Sequence, residues 1–476
     1  MSEAIGEMIL PGTYIEVRAE GLIGVGGIST GNIGVVGTAN RGPLNTVTIL
    51  GSYSEALETF GSYDRWPGTQ AAPALTLTRT LEQIFKGGGS TVYAVRVANL
   101  AEGSEMKSMT WTVKGPSNAK LMTLTATSPG TWANKIEATL DAPTGGPATL
   151  ELVYKRVKES FTGATAGDLF QAIADASRLV TPGDLKDEDK GKSPKTISAA
   201  ADADAGGPDG GAATATEVAT GLNLLASEPV NIVTVGGLDA GAVGATVLGH
   251  LEATENDGRE RMAVIGASSD ELSKIATDAG KVGSTRLILV APGIVADDAS
   301  RAGEANKAVK LTPSYAAALV AGRLSTLAPH ISLTNKDVAA DDLTRAYTRA
   351  EQKQLLGNRV LVLQKNLGIR VLKGITSDTG AFRQISVRRI VDYAKAGVRI
   401  GSNPYIGRLN NARVRAALKA TLDGFLSGMV VDEMLISYDL AVTATRAQEI
   451  VGQALVTMTL RPTFSIDFIK VIMNLE

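Results

Sequence analysis

Short aliphatic runs with few polar interruptions alternate in this chain with amphipathic stretches of helix length, and this alternation restricts the fold more than any other feature. A strand with one face in water alternates apolar and polar residues. A run without that alternation needs cover on both faces, which parallel strands obtain from helical crossovers. The segments at 33–36 and 92–97, and those in VNIVTVGG, MAVIGA and RLILVAPG, read as such strands. Helical spacing separates them. Leu77, Leu81, Ile84 and Phe85 share a face ahead of a glycine stop at Gly87, Gly88 and Gly89, and further helices are predicted over 243–255 and 270–279. An α/β layer follows. Its two parts are expected at 23–100 and 222–340, forming one discontinuous core.

The interruption, 101–221, has a different character. MTWTVKG, AKLMTLTAT, KIEATLDA and TLELVYKRV are Thr-rich alternating segments separated by turn residues, which predicts an inserted outer β domain. Within it, 181–221 carries a mixed charge run and the stretch AAADADAGGPDGGAATAT. It is too poor in large apolar residues to make a core and is expected to be an exposed, mobile loop. Residues 341–455 read as a C-terminal α+β domain, with helices in LTRAYTRAEQKQLLG, ISVRRIVDYAKAGVR and LNNARVRAALKATLDGFLSGM and strands in RVLVLQKN and GIRVLKGITS. Terminal strands and an arm are placed at 456–476, and an extended N-terminal arm at 1–22, where Ile15 and Val17 alternate with Tyr14, Glu16 and Arg18. The expected fold class is α/β and α+β multidomain: a discontinuous α/β core, an inserted β domain and a C-terminal α+β domain with extended terminal arms.

Composition removes most chemistry. Lys and Arg number 47 against 49 Asp and Glu, a net charge of −2, so the basic excess of a nucleic-acid binder is missing. There is no Cys, which excludes disulfides, thiolate metal sites and a Cys nucleophile, and only His250 and His330 supply imidazoles. The N-terminus lacks the pattern of a signal peptide and no long apolar span occurs, so a soluble cytoplasmic product without direct membrane insertion is expected. Among the glycine clusters, GVGGIST follows no clear strand, and AGKVGST has Val282 where a phosphate loop needs Ser or Thr beside its Lys. Asp392, Asp432, Glu433 and Asp439 are scattered among basic residues, which suits ion pairs better than an acid and base pair. No catalytic residue, metal ligand or cofactor is assigned.

The ends are more informative. In TFSIDFIKVIMNL, Phe464, Ile466 and Phe468 share one face before Ile469 and Val471 break the alternation. The run is either the last strand of its own sheet or a strand that reaches the open edge of another subunit. After Gly407, Arg408, Arg413, Arg415 and Lys419 accompany Val414, Ala417, Leu418, Leu422 and Phe425. That basic face either meets solvent or sits against an acidic tube that the protein wraps.

The order of these pieces resembles tail sheath proteins of contractile phages, pyocin-like particles and related injection systems. LPGTYIEV, ISTGNIGVVGTANRGPLN, FKGGGSTVYAVRVA, SPGTWANKI, GITSDTGAFRQISVRRIVDYAKAGVR and YIGRLNNARVRAALKATLDGFL carry the resemblance, together with the paired final strands. It departs from the family at Ala133, where Gly is more frequent, and in 181–221. It implies a structural subunit rather than an enzyme: a homo-oligomer of stacked hexameric rings around an inner tail tube protein, meeting baseplate and tail terminator proteins. By position, Tyr14, Ile15, Glu16 and Val17 would be one donated strand and Phe464, Ile466, Phe468 and Val471 another. Val456, Met458 and Leu460 would belong to the receiving sheet. The implied location is a virion tail or contractile particle assembled in the bacterial host cytoplasm. An α/β enzyme acting on a nucleotide or sugar is the alternative from another class. A type VI secretion sheath fits less well, because there two chains share what this one chain contains.

Overall fold

A computed structural model describes residues 27–66, 75–100, 106–199 and 207–474. The expected N-terminal arm, 1–22 with Tyr14, Ile15, Glu16 and Val17, lies outside the described residues.

The aliphatic runs form one eight-stranded sheet in the order Ile369–Val371, Val360–Lys365, Leu287–Ala291, Met262–Gly266, Ile232–Val235, Ile33–Thr38, Val92–Val97 and Val47–Leu50. Neighbours are parallel except at the two ends, where Ile369–Val371 and Val47–Leu50 pair antiparallel. Successive side chains enter opposite cores. Met262 and Val264 join one apolar cluster, while Ala263 and Ile265 join the other. That is why these runs show no apolar and polar alternation. Helices Leu77–Lys86 and Pro313–Ser325 cover one face; Ala215–Leu225, Ala240–Asn256, Leu272–Lys281 and Arg349–Gly357 cover the other.

Helix Pro313–Ser325 is buried almost throughout, and its small residues let it lie close to its neighbours. A Cβ on Gly266 would land on the backbone of Pro313 and Ser314, and one on Gly322 on the carbonyl of Ile84. Strands Val360–Lys365 and Ile369–Val371 carry the sheet past residue 340, where the sequence placed the start of the C-terminal domain.

The insertion holds two antiparallel sheets. One has the order Thr196–Ala199, Thr110–Lys114, Lys120–Ala126, Val180–Gly183; the other comprises Glu137–Asp141, Ala148–Tyr154 and Val157–Gly163. They share a core with helix Ala166–Ala176 around Trp111, Leu124, Trp132, Leu152 and Leu169. The SPGTWANKI turn joins this unit to the main sheet. Buried Arg96, on strand Val92–Val97, donates to the carbonyls of Gly42 (2.7 Å) and Pro129 (2.8 Å), and Ser128 Oγ accepts the Gly42 N–H at 2.9 Å. The Arg41 guanidinium lies 4.3 Å from the centre of the Trp132 ring. Gly130 takes φ 127°, a region closed to most side chains.

The expectation of a loop over 181–221 is corrected. Val180–Gly183 and Thr196–Ala199 are the two edge strands of the first sheet. The charges between them pair locally, Lys190 with Asp187 at 2.7 Å and Lys192 with Asp189 at 2.6 Å. The backbone carbonyls of Lys190 and Lys192 accept the N–H groups of Gly167 and Ala166 at the start of helix Ala166–Ala176. Residues 215–221 open helix Ala215–Leu225, set by a capping box between Thr214 and Glu217, with Val218, Leu222 and Leu225 buried on one face.

Candidate assembly interface

Helix Ala412–Val431 starts at Asn411, whose side chain accepts the Val414 N–H at 2.9 Å. Leu418, Leu422, Leu426 and Met429 form its single buried stripe. The stripe packs on helix Ile385–Ser402 and on a hairpin of Leu435–Thr443 with Leu455–Pro462. From the hairpin, Tyr438, Leu440, Met458 and Leu460 turn toward this small core. The Tyr438 hydroxyl donates to Asp423 at 2.7 Å, and burial together with that bond pushes it up to about 12.

Among the described residues the hairpin pairs with no other strand, so its two outer edges are open. A lone two-stranded sheet is marginal, and open edges invite pairing with another chain. Val456, Met458 and Leu460, the expected receiving residues, lie half-buried on Leu455–Pro462, Met458 and Leu460 against the subunit's own small core.

The last apolar run does not close this sheet. After Thr463, whose N–H reaches the Met434 carbonyl at 3.1 Å, the chain is extended and belongs to no strand among the described residues. The expected alternation is present, but its apolar face looks outward: Phe464 is 60% exposed, Ile466 80% and Phe468 84%. Ile469, Val471, Ile472 and Met473 are exposed as well. Ser465 and Asp467 face inward.

The four basic residues do not share one face. Arg415 pairs with Glu449 at 3.0 Å and bonds Asn410, so it ties the helix to the far end of the hairpin. Arg413 points roughly 200° away from it at 3.6 residues per turn. Arg413 and Lys419 are exposed, and Arg408 lies outside the helix over the Tyr405 ring. Nearby, Ile406, Leu409, Ile450 and Val451 are exposed on two segments joined by the bond from Asn410 to the Gln453 carbonyl.

An ion-pair network fixes helix Ile385–Ser402 to the main core. Arg286 pairs with Glu255 (2.6 Å) and Asp392 (2.7 Å), Arg388 with Asp392 (2.6 Å), and Lys395 and Arg399 with Glu260 (3.2 and 2.8 Å). The Arg286 bond holds the Glu255 carboxyl down at about 2. Asp392 thus has the structural role expected of it, but nothing in the sequence named its partners.

The remaining candidates for chemistry have structural places. His250 is buried beside Arg261, and burial lowers it to about 4, so it is neutral. The AGKVGST run lies at the end of helix Leu272–Lys281, not at the helix start that a phosphate requires. A cavity of about 290 Å³, lined by Ser29, Asn231, Arg261, Arg389 and Tyr393, opens beside Ile232 and Met262. These residues begin their strands, whereas ligands of parallel α/β sheets gather at the strands' C-terminal ends. Among the described residues no acidic or His cluster has the form of a metal site, and no helix is long and apolar enough to cross a membrane.

Comparison with known proteins agrees with this geometry. Residues 211–377 match the phage tail sheath protein central domain and residues 377–476 the phage tail sheath C-terminal domain. Together they cover more than half of the chain. No curated protein matches it. Among solved structures, a sheath tail protein from Desulfitobacterium hafniense is similar at 18% identity and TM-score 0.63, over 95% of this chain and 100% of that one. A sheath tail protein from Listeria innocua is similar at 15% identity and TM-score 0.64, over 92% and 93%. The helical sheath of the anti-feeding prophage in its contracted state is similar at 15% identity and TM-score 0.56, over 98% and 99%. At these identities the structures establish the fold, and the two domain matches establish descent. The chain belongs to the contractile tail sheath protein family, whose members are structural subunits and not enzymes.

Proposed function

We propose that copies of this subunit stack as hexameric rings around an inner tail tube protein, and that contraction of the resulting sheath drives the tube through a target envelope. The observation that carries this reading is the C-terminal sheet: among the described residues, a hairpin with two open edges beside an extended tail whose apolar face is exposed. The two are complementary, because a tail from one copy supplies the strand that a hairpin of another lacks. Tyr14, Ile15, Glu16 and Val17 would supply a second strand, and Val456, Met458 and Leu460 would mark the receiving strand.

In this mechanism the extended sheath is metastable. Contraction releases free energy as rigid subunits slide to a more favourable packing, while the exchanged strands keep the network connected. The glycine-containing stretch 21–27 would act as one hinge; the turn expected at Pro462 is instead the end of the hairpin strand, paired with Leu435. Arg408, Arg413 and Lys419 are the exposed candidates for the tube, while Arg415 would act by holding the hairpin to the helix. Similarity to a chain of the anti-feeding prophage baseplate supports a baseplate contact at one end of the sheath, and a tail terminator would close the other. Assembly would take place in the cytoplasm of a bacterial host.

Negative-stain electron microscopy of the purified chain, alone and with the tube protein, tests this. Striated tubes or rings are expected. A chain that stays monomeric under all conditions would overturn the reading, as would tubes that still form after deletion of residues 1–20 for that arm's part in it.

A further inference from the structure

The C-terminal tail is held by its own subunit before it becomes exposed. Asp467 is seated among Lys373 Nζ at 3.0 Å, Gln384 Nε2 at 3.2 Å and Thr334 Oγ1 at 3.4 Å. The Asp467 and Lys373 side chains are only 10% and 16% exposed, a nearly buried ion pair with hydrogen bonds to its remaining lone pairs. Two residues earlier, Ser465 donates its N–H to Gln384 Oε1 at 3.3 Å. None of these partners is in the hairpin. Lys373 follows the edge strand Ile369–Val371, and Gln384 immediately precedes helix Ile385–Ser402. Thr334 lies in a loop tied to that same strand by the bond from Asn335 N–H to the Val371 carbonyl. One residue beyond the seat, Lys373 Nζ lies 4.6 Å from the centre of the Phe468 ring, and from Ile469 onward the apolar side chains are exposed.

We infer that Asp467 is the anchor from which the arm departs, so that residues 463–467 stay with their own subunit and the apolar segment from Phe468 onward is taken up by a second copy of the chain. The inference rests on the strand-exchange reading above and narrows it: Phe464 and Ile466 do not cross. An extended segment over 468–476 reaches about 30 Å at about 3.3 Å per residue, the span of a strand on a neighbouring sheet edge. Tension from the neighbour then arrives at the edge of the eight-stranded sheet and at the start of helix Ile385–Ser402, and bypasses the hairpin. The alternation explains the division. Polar Ser465 and Asp467 match a polar seat, whereas Ile469, Val471, Ile472 and Met473 are exposed.

Because the chain has no Cys, the pair Gln384→Cys with Ser465→Cys can be joined in assembled sheaths by a short bismaleimide; it removes the Gln384 hydrogen bonds but keeps the Lys373 ion pair and the Thr334 hydrogen bond to Asp467. A product of one-chain mass on a denaturing gel is expected. A ladder of dimers and higher multimers would show that the seat is filled by a neighbour's tail and would overturn the anchor. If the pair blocks assembly, hydrogen exchange on the unmodified chain decides. Amides of 463–467 should exchange equally slowly in dispersed and assembled protein, with slowing on assembly confined to 469–474. Slowing that includes 463–467 would overturn the anchor as well. Deletion of 468–476 separates this result from the parent reading. If that variant assembles normally, strand exchange by this arm fails whatever the gel shows. If it does not assemble and the ladder appears, exchange survives and only the crossing point moves upstream.

Discussion

At Gly266 the main sheet meets the backbone of Pro313 and Ser314 so closely that a methyl group has no place to go, because backbone rather than a side-chain tip stands in the way. Gly266→Ala should therefore cost about 1–3 kcal/mol, the usual range for overpacking, and lower the melting temperature. Gly424 is the contrasting case: nothing lies within 4 Å of a Cβ there. Gly424→Ala in the exposed face of its helix should stabilise the dispersed chain by about 0.5–1 kcal/mol. Calorimetry on both variants checks the opposite signs. Glu255 gives a pH dependence. Its folded value, about 2, lies below the ordinary 4.5, so its contribution is fully present above pH 4.5 and is lost as pH falls toward 2. Glu255→Gln should make the loss of stability across that window shallower, and an unchanged slope would mean that the network adds nothing. At this scale the sequence was least legible. Asp392 could be read as an ion-pairing carboxylate, but its partners Arg286 and Arg388 are set by how a helix lands on the core.

Among the elements, helix Ala412–Val431 holds the hairpin through a single stripe whose centre is Leu426, fully buried. Leu426→Ala should cost about 2–5 kcal/mol and speed hydrogen exchange across Leu435–Thr443 more than in the eight-stranded sheet. Equal effects in both would show that hairpin and core unfold as one unit. Arg96 plays the matching part at the joint of the insertion, where burial lowers its guanidinium to about 10 while it bonds two carbonyls. Arg96→Met leaves both carbonyls buried without that donor and should destabilise the chain by about 2–3 kcal/mol in a denaturant titration. The parallel strands were legible because burial on both faces leaves an aliphatic signature that few other elements produce. The strands Val180–Gly183 and Thr196–Ala199 were not, since a mixed charge run and few large apolar residues suggested a loop, although Lys190 and Lys192 pair with their neighbours locally. Helix Ala215–Leu225 could have been found from Thr214 and Glu217, a capping box ahead of spaced aliphatic residues, had composition not been given priority.

For the whole molecule, the same logic leaves one sheet unfinished. The eight-stranded sheet ends in antiparallel edge strands and is covered by helices on both faces, whereas among the described residues the C-terminal hairpin has two open edges and the tail's apolar residues are exposed. In the proposed polymer, copies that exchange strands would cover both. The sequence showed the tail's alternation but left two destinations open, its own sheet or another's. Among the described residues the tail joins no strand of its own subunit, and its inward positions Ser465 and Asp467 meet a polar seat away from the hairpin edge. Sedimentation velocity at rising concentration, comparing the full chain with one lacking 468–476, tests this most directly. Strand exchange predicts that the full chain forms large particles while the shortened chain remains a folded monomer. Large particles from both would contradict it.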